Sequence, residues 1–249
     1  MATSRRAPDS GRGSASGASR AGASGREEPR ISLRFLTSAP NLARCPPPDQ
    51  PEVAIAGRSN AGKSSVLNRI TGNRQTARVS KTPGRTQLLN FFEVERHLSG
   101  AAGGRLVDLP GYGFAKAGKD AQARWQSSVN EYLTRRDSLV GVILVMDIRH
   151  PMQPFDQELC SWAAASQLPL LVLLNKADKL KYGAQQRVLA DVRKALSGQP
   201  NTLVMTFSAH TGLNQGALLE VLELWLTGAE DTAAAVPVPE TPADPDGAS

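Results

Sequence analysis

The sequence predicts a three-layer α/β domain in which a mostly parallel, six-stranded sheet is covered by helices on both faces. Three observations lead there. Short apolar runs alternate with longer stretches whose apolar residues recur at helical spacing. A glycine-rich loop, residues 57–64, separates the apolar run 53–56 from the helix-like stretch 65–70. Polar clusters stand directly after further apolar runs, at the carboxyl ends where open α/β sheets place their ligands.

Taken in order, residues 1–29 are rich in Arg, Ser, Gly and Ala and lack the large apolar side chains that folding needs. They are expected to be a disordered tail ahead of a single domain over 30–228. Strand 53–56 and helix 65–70 flank the glycine-rich loop. A hairpin follows, with strands at 88–95 and 105–108 around the turn Ser99-Gly100-Ala101-Ala102-Gly103-Gly104. Trp125, Val129, Tyr132 and Leu133 mark one helix face; Phe155, Leu159 and Trp162 mark the next. Strand 170–174 is followed by a helix with Leu189, Val192 and Leu196. Strand 202–207 is followed by one with Leu218, Val221, Leu222 and Trp225. At this spacing the aromatics are core residues rather than platforms for stacking bases. Residues 229–249 are acidic and rich in Pro and Ala, and are expected to form a second tail.

The loop Gly57-Arg58-Ser59-Asn60-Ala61-Gly62-Lys63-Ser64 fits G-x-x-x-x-G-K-[ST] between a strand and a helix, the setting in which that pattern binds phosphate. Glycines let successive N–H groups converge on an anion, and the new helix adds its positive end. Lys63 is expected to reach the β- and γ-phosphates and Ser64 to ligate Mg²⁺. Alone, the loop indicates only a nucleoside triphosphate.

Three later motifs narrow this to guanine. Asn175-Lys176-Ala177-Asp178 ends the apolar run 170–174. A carboxylate there accepts from guanine N1–H and the 2-amino group, whereas adenine leaves it unpaired. Lys176 would cover the base with its aliphatic stem. Phe207-Ser208-Ala209 ends the run 202–207 and offers N–H groups to guanine O6. Asp108-Leu109-Pro110-Gly111 closes the hairpin; Asp108 would hold Mg²⁺ through a water, and the Gly111 N–H would sense the γ-phosphate. Each motif alone could be an ordinary turn; the order of all four along one chain is the signal. Between the first and second lies Gly84-Arg85-Thr86-Gln87-Leu88, where a threonine should close over the metal. Thr86 is the expected ligand because a strand begins directly after it, with Thr82 in reserve. Lys63, Thr86 and Gly111 are therefore the expected catalytic residues, and Ser64 and Thr86 the metal ligands. The remaining residues of the motifs are expected to contact nucleotide. The position after D-x-x-G, where Ras-type enzymes carry the glutamine that orients water, holds Tyr112, a poor substitute.

These segments resemble the EngB (YihA/YsxC) GTPases of the TrmE-Era-EngA-EngB-Septin-like superfamily. Gly-Arg-Ser-Asn in the phosphate loop, Pro-Gly-Arg-Thr-Gln at 83–87, Asp-Leu-Pro-Gly-Tyr-Gly at 108–113, Phe-Leu-Thr-Ser-Ala at 35–39 and Asp-Ile-Arg-His-Pro at 147–151 carry the likeness. It spans residues 30 to 228, with the loop at Ser208-Ala209-His210 a plain version of a variable guanine-contact segment. The resemblance implies a P-loop NTPase of the Ras-like G-domain type, slow hydrolysis of GTP to GDP with Mg²⁺, and a monomeric chain. It also implies a role in assembling the large ribosomal subunit, through rRNA and ribosomal proteins, and in normal division and septation. In related GTPases an asparagine at the place of Asn60 helps hold K⁺; otherwise Asn60 is a loop-capping side chain.

Composition excludes other classes. The net charge of +6 is uneven: residues 1–30 carry +3 and residues 229–249 carry −5, leaving +8 between them. A basic domain suits an RNA-rich partner, although a solvated basic face is an equal alternative. No RRM-like aromatic set is visible and no DNA partner is expected. Cys45 and Cys160 are far apart, and His97, His150 and His210 lack metal-ligand spacing. No run of 18 apolar residues is present, and no prenylation cysteine ends the sequence. The expected location is the bacterial cytoplasm. The Arg/Ser-rich start leaves an organelle matrix as a lesser alternative.

Overall fold

The computed structural model describes residues 30–73, 88–112 and 119–228, with side chains from residue 127 onward in the last segment. Strands are β1 (Ser32–Ala39), β2 (Glu52–Gly57), β3 (Leu89–Arg96), β4 (Arg105–Asp108), β5 (Leu139–Asp147), β6 (Leu170–Asn175) and β7 (Thr202–Thr206). Helices are α1 (Lys63–Thr71), α2 (Lys119–Arg135), α3 (Pro154–Ala165), α4 (Tyr182–Ala195) and α5 (Gln215–Thr227). The strands pair in the order β1-β3-β4-β2-β5-β6-β7. From β4 to β7 every pairing is parallel, and β3 runs antiparallel to both neighbours.

The sheet is the three-layer α/β arrangement expected, with seven strands rather than six. Two strands, β1 and β5, have no counterpart among those placed from sequence; β1 lies at the edge beside β3, paired from Ser32↔Arg96 to Ala39↔Leu89 with register shifts at Ser32/Leu33 and Phe35/Thr37. Its sequence, Ser-Leu-Arg-Phe-Leu-Thr-Ser-Ala, has no continuous apolar run because an edge strand is only partly covered, and Arg34 and Phe35 are exposed. By contrast β2, β4 and β6 are buried along their whole length, as parallel strands covered on both faces must be.

Two apolar clusters lie on opposite faces of the sheet. Val53 and Ile55 of β2 pack with Val66, Leu67 and Ile70 of α1 and Leu218 and Leu222 of α5. Ala54 and Ala56 point the other way, among Tyr132 and Leu133 of α2, Leu159 of α3 and Leu189 and Val192 of α4. The helical stripes read from sequence are thus core, with Phe155, Trp162 and Trp225 at its margin; the side chain of Trp125 lies outside the described residues. Gly141 lets α5 lie close to β5: a Cβ there would stand 2.4 Å from the Trp225 ring.

At the amino end of β2, Glu52 is fully buried and ties sheet to helix. Its carboxylate accepts from Tyr132 Oη at 2.9 Å and from Arg136 Nε and Nη2 at 2.9 and 2.5 Å. Arg105 Nη1 lies 3.6 Å away, and Nη2 of the same side chain is paired with Asp49. Burial, then the neighbouring Glu52 charge, pushes the Tyr132 phenol well above its usual range, so it stays a neutral donor. Removing the carboxylate leaves buried guanidinium groups without their partner. We expect Glu52→Ala to cost about 3–5 kcal/mol, read as a lower denaturation midpoint at unchanged slope. A loss below about 1 kcal/mol, the size of a surface pair, contradicts this account.

Candidate nucleotide-binding site

Every predicted motif that the structure describes sits at the opposite, carboxyl end of the sheet. After β2 the chain curls through residues 58–62, with Ala61 N–H donating to Arg58 O at 3.0 Å, and enters α1 where Ser65 and Val66 N–H groups both donate to Gly62 O at 2.9 Å. Gly62 has φ of +106°, and a Cβ on it would fall 2.2 Å from Asn175 Nδ2. No other residue fits there without displacing the loop. Gly57 packs as tightly, with its would-be Cβ 2.5 Å from Val145 O.

The loop faces a polar cleft of about 440 Å³ lined by Arg58, Ser59, Asn60, Gly62, Lys63, Ser64, Leu88, Asn90, Asp108, Leu109, Pro110, Gly111 and Lys176. Lys63 Nζ donates to Asp108 Oδ1 at 2.9 Å, and both side chains are largely buried. Two further ammonium hydrogens remain for phosphate oxygens. Ser64 and Asp108 supply oxygen donors in the same cleft, the donor type that Mg²⁺ takes alongside nucleotide phosphates. Loop curvature, helix end, cation and oxygen donors together fit a phosphate chain with its metal.

A second pocket of about 290 Å³ adjoins the first and is lined by Ser65, Asn175, Lys176, Asp178, Lys179, Ala209 and His210. Asp178 accepts from the Ser208 hydroxyl at 2.6 Å and lies 3.0 Å from Lys179 Nζ. Burial pushes its pKa up, but the Ser208 hydrogen bond and Lys179 outweigh that and hold the carboxyl below its ordinary value. Asn175 joins the two pockets: Nδ2 donates to Ala61 O at 2.9 Å, and Oδ1 accepts from Ala209 N–H at 3.3 Å. Lys176 sits in the left-handed region at φ +65° and donates to Asn60 O at 2.6 Å and Asp147 Oδ2 at 2.9 Å. Ala177 is buried beneath, its N–H donating to Phe207 O at 3.0 Å. The N–H groups expected at guanine O6 are engaged within the protein. Ser208 N–H points to Leu213 O at 3.5 Å and Ala209 N–H to Asn175, both long contacts that a ligand oxygen could displace.

Of the expected first switch, Gly84, Arg85, Thr86 and Gln87, with Thr82, lie outside the described residues, and Leu88 lines the cleft. Tyr112 is described and is turned away from the cleft. It is buried, its ring stacks on Phe155 at 4.6 Å, and its hydroxyl donates to Asp156.

Sequence reasoning missed four residues here. Asn90 lines the phosphate cleft and accepts from Ser38 Oγ at 2.7 Å. Asp147 holds Lys176, and Arg149 grips Asp147 with Nε and Nη2 at 2.9 and 2.6 Å. The Arg149 guanidinium, helped by Lys176, holds the Asp147 carboxyl well below the usual carboxylate range. Asp156 anchors Tyr112. Only Asp147 had a readable signal, a carboxylate closing an apolar strand. An apolar cavity of about 280 Å³ between α2 and α3, lined by Leu109, Val129, Leu133 and Trp162 among others, lacks the convergent polar groups of the cleft.

The family model described as "50S ribosome-binding GTPase" matches residues 52–176, and the model of the elongation factor Tu GTP-binding domain matches residues 128–227. A protein of Enterobacter sp. (strain 638) named "Probable GTP-binding protein EngB" is 48% identical over 197 residues, covering 79% of this chain and 92% of its own length. The protein of the same name from Idiomarina loihiensis is 49% identical over 195 residues, covering 78% and 92%. Among solved structures, one described as a probable GTP-binding protein engB superposes with a TM-score of 0.58 at 23% identity, over 71% of this chain and 99% of that one. A bacterial selenocysteine-specific elongation factor gives 0.52 at 18% identity, over 72% and 29%. These two likenesses concern the fold; the sequence identities establish the family. The chain belongs to the EngB family of GTP-binding proteins.

Proposed function

We propose that this chain is a Mg²⁺-dependent GTPase whose nucleotide state governs its attachment to the large ribosomal subunit during assembly. The observation that carries the guanine reading is the placement of Asp178, held ionised by Ser208 and Lys179, in a pocket that Asn175 fixes beside the phosphate loop. Asp178 accepts from guanine N1–H and the 2-amino group, and the stem of Lys176 covers the ring. Lys63 and the N–H groups at the start of α1 meet the phosphates, while Ser64, together with Thr86, ligates the metal. Bound Mg²⁺ supplies charge that offsets negative charge developing on the phosphates. Gly111 reports the γ-phosphate through its N–H. Asn60, exposed on the lip of the cleft, offers an amide oxygen to a K⁺ ion that would quicken hydrolysis.

The ribosomal part of the proposal is supported by the matched family's description and by charge. The +8 between the two acidic and basic ends of the sequence includes exposed Lys181, Arg187 and Lys194 on α4 and its approach. Such a surface favours a polyanionic partner. Among the described residues no helix is long and apolar enough to cross a membrane. In this reading the protein works in the bacterial cytoplasm as a monomer, and septation depends on it through the supply of ribosomes.

Three outcomes test this. Asp178→Ala loses two charge-assisted hydrogen bonds to the base, about 3 kcal/mol or roughly 100-fold in GDP affinity; calorimetric titration that finds ATP bound as well as GDP rejects the guanine assignment. Asn175→Ala frees the phosphate loop from the base loop and should weaken GDP and a GTP analogue alike, by about 2 kcal/mol or roughly 30-fold. Large-subunit particles should carry the chain through sedimentation with a non-hydrolysable GTP analogue and release it with GDP or added salt. Equal absence in both nucleotide states discards the ribosomal role and leaves septation to be served directly.

A further inference from the structure

Tyr112 follows Gly111 in the chain; its ring and hydroxyl reach α3, while its backbone meets the phosphate loop. Its ring lies on Phe155 at an interplanar angle of 25°, and its hydroxyl donates to Asp156 Oδ1. Asp156 is only 2% exposed, and its other oxygen caps α3 by accepting from Gln153 N–H at 2.9 Å. On the backbone side, Tyr112 O accepts from Ser59 N–H at 2.7 Å, and Arg58 and Tyr112 form an isolated parallel bridge. Gly111 is thereby pressed onto the phosphate loop: a Cβ on it would lie 3.3 Å from Ser59 Oγ and 3.4 Å from Gly57 O. That Ser59 hydroxyl is buried with no hydrogen-bond partner among the described residues.

The 108–112 turn is thus fixed at both ends, by Lys63 on Asp108 and by α3 on Tyr112. Gly111 cannot leave the loop unless the Ser59 bond breaks or the phenol is drawn out of its stack, stranding a buried carboxylate. Building on the nucleotide reading above, we propose that Tyr112 and Asp156 form a latch, a positioning pair that sets Gly111 at the γ-phosphate end of the cleft. The latch fixes the preference for GTP over GDP and the rate of hydrolysis without touching nucleotide. Burial raises the pKa of both groups, which keeps the phenol a proton donor throughout the working pH range.

The test uses the full chain and its Tyr112→Phe, Asp156→Ala, Asp156→Asn and Tyr112→Phe/Asp156→Ala variants. Affinities for GDP and for the β,γ-imido analogue of GTP are measured beside single-turnover hydrolysis. The phenylalanine keeps the stack and removes the hydroxyl with its bond to Asp156, so GDP affinity should stay within about 2-fold while analogue affinity and hydrolysis each fall about 10-fold. Asp156→Ala should match it, and the double variant should be no worse than either single one. Asp156→Asn, whose amide oxygen still accepts from the phenol, should restore most of the loss. Equal weakening of GDP and analogue, an unmoved ratio, or single effects that add in the double variant overturns the latch. If the unaltered chain fails to bind GDP, the nucleotide reading falls and the latch with it; intact GDP binding beside an unmoved ratio sinks the latch alone.

Discussion

The side chain of Asn175 is the contact on which the rest of the site depends. Parallel strands deliver their loops to one end of a sheet, but nothing in that arrangement fixes one loop against another. Asn175 does so from the last position of β6, where it is buried and paired with Asp147 of β5 in the sheet register. Its amide nitrogen holds the phosphate loop at Ala61, and its oxygen holds the β7 loop at Ala209. Gly62 has no side chain because that amide occupies the space where one would stand. Lys176 repeats the connection one residue later, between Asn60 and Asp147. Both Asn60 and Lys176 adopt left-handed backbone to allow it, a local cost that persists only where surrounding contacts enforce it.

The two ends of β2 show how one strand serves stability and chemistry separately. Its first residue, Glu52, gathers Tyr132, Arg136 and Arg105 around a fully buried carboxylate and draws the end of α2 onto the sheet. Its last residue, Gly57, begins a loop that keeps backbone and cationic groups turned to a cleft. The apolar core between these ends separates a satisfied ion cluster from an open polar site. An extended, well-covered strand can therefore carry strain at one terminus without loosening the other.

Local pattern made the phosphate loop, the 175–178 turn and the helical stripes legible, because each is a relation among residues within a few positions. The hairpin was legible for the same reason. What stayed hidden was non-local or one-sided. β1 is half-exposed and shows no apolar run, so the sheet gained a strand that periodicity could not announce. Tyr112 and Asp156 meet across 44 residues, and Asp147 and Lys176 across 29. The packing of α3 against the 108–112 turn brings the first pair together, and the pairing of β5 with β6 brings the second. Glu52 reads in sequence as a polar residue ahead of a strand; its burial becomes visible only once α2 is laid over it.

The direction taken by Tyr112 bears on how hydrolysis proceeds. Its hydroxyl donates to Asp156 and its ring stacks on Phe155, so the side chain is not directed into the cleft as a water-orienting glutamine would be. Apart from the Asp108 carboxylate, which is held by Lys63, the groups proposed to meet the phosphates are backbone N–H donors, Lys63 and Ser64. All of these stabilise charge; none is a base. Phosphoryl transfer tolerates that, because its loose transition state asks the protein mainly for position and electrostatic complementarity. Lys63 meets the requirement while retaining Asp108, since one ammonium hydrogen serves the carboxylate and two stay available for phosphate oxygens.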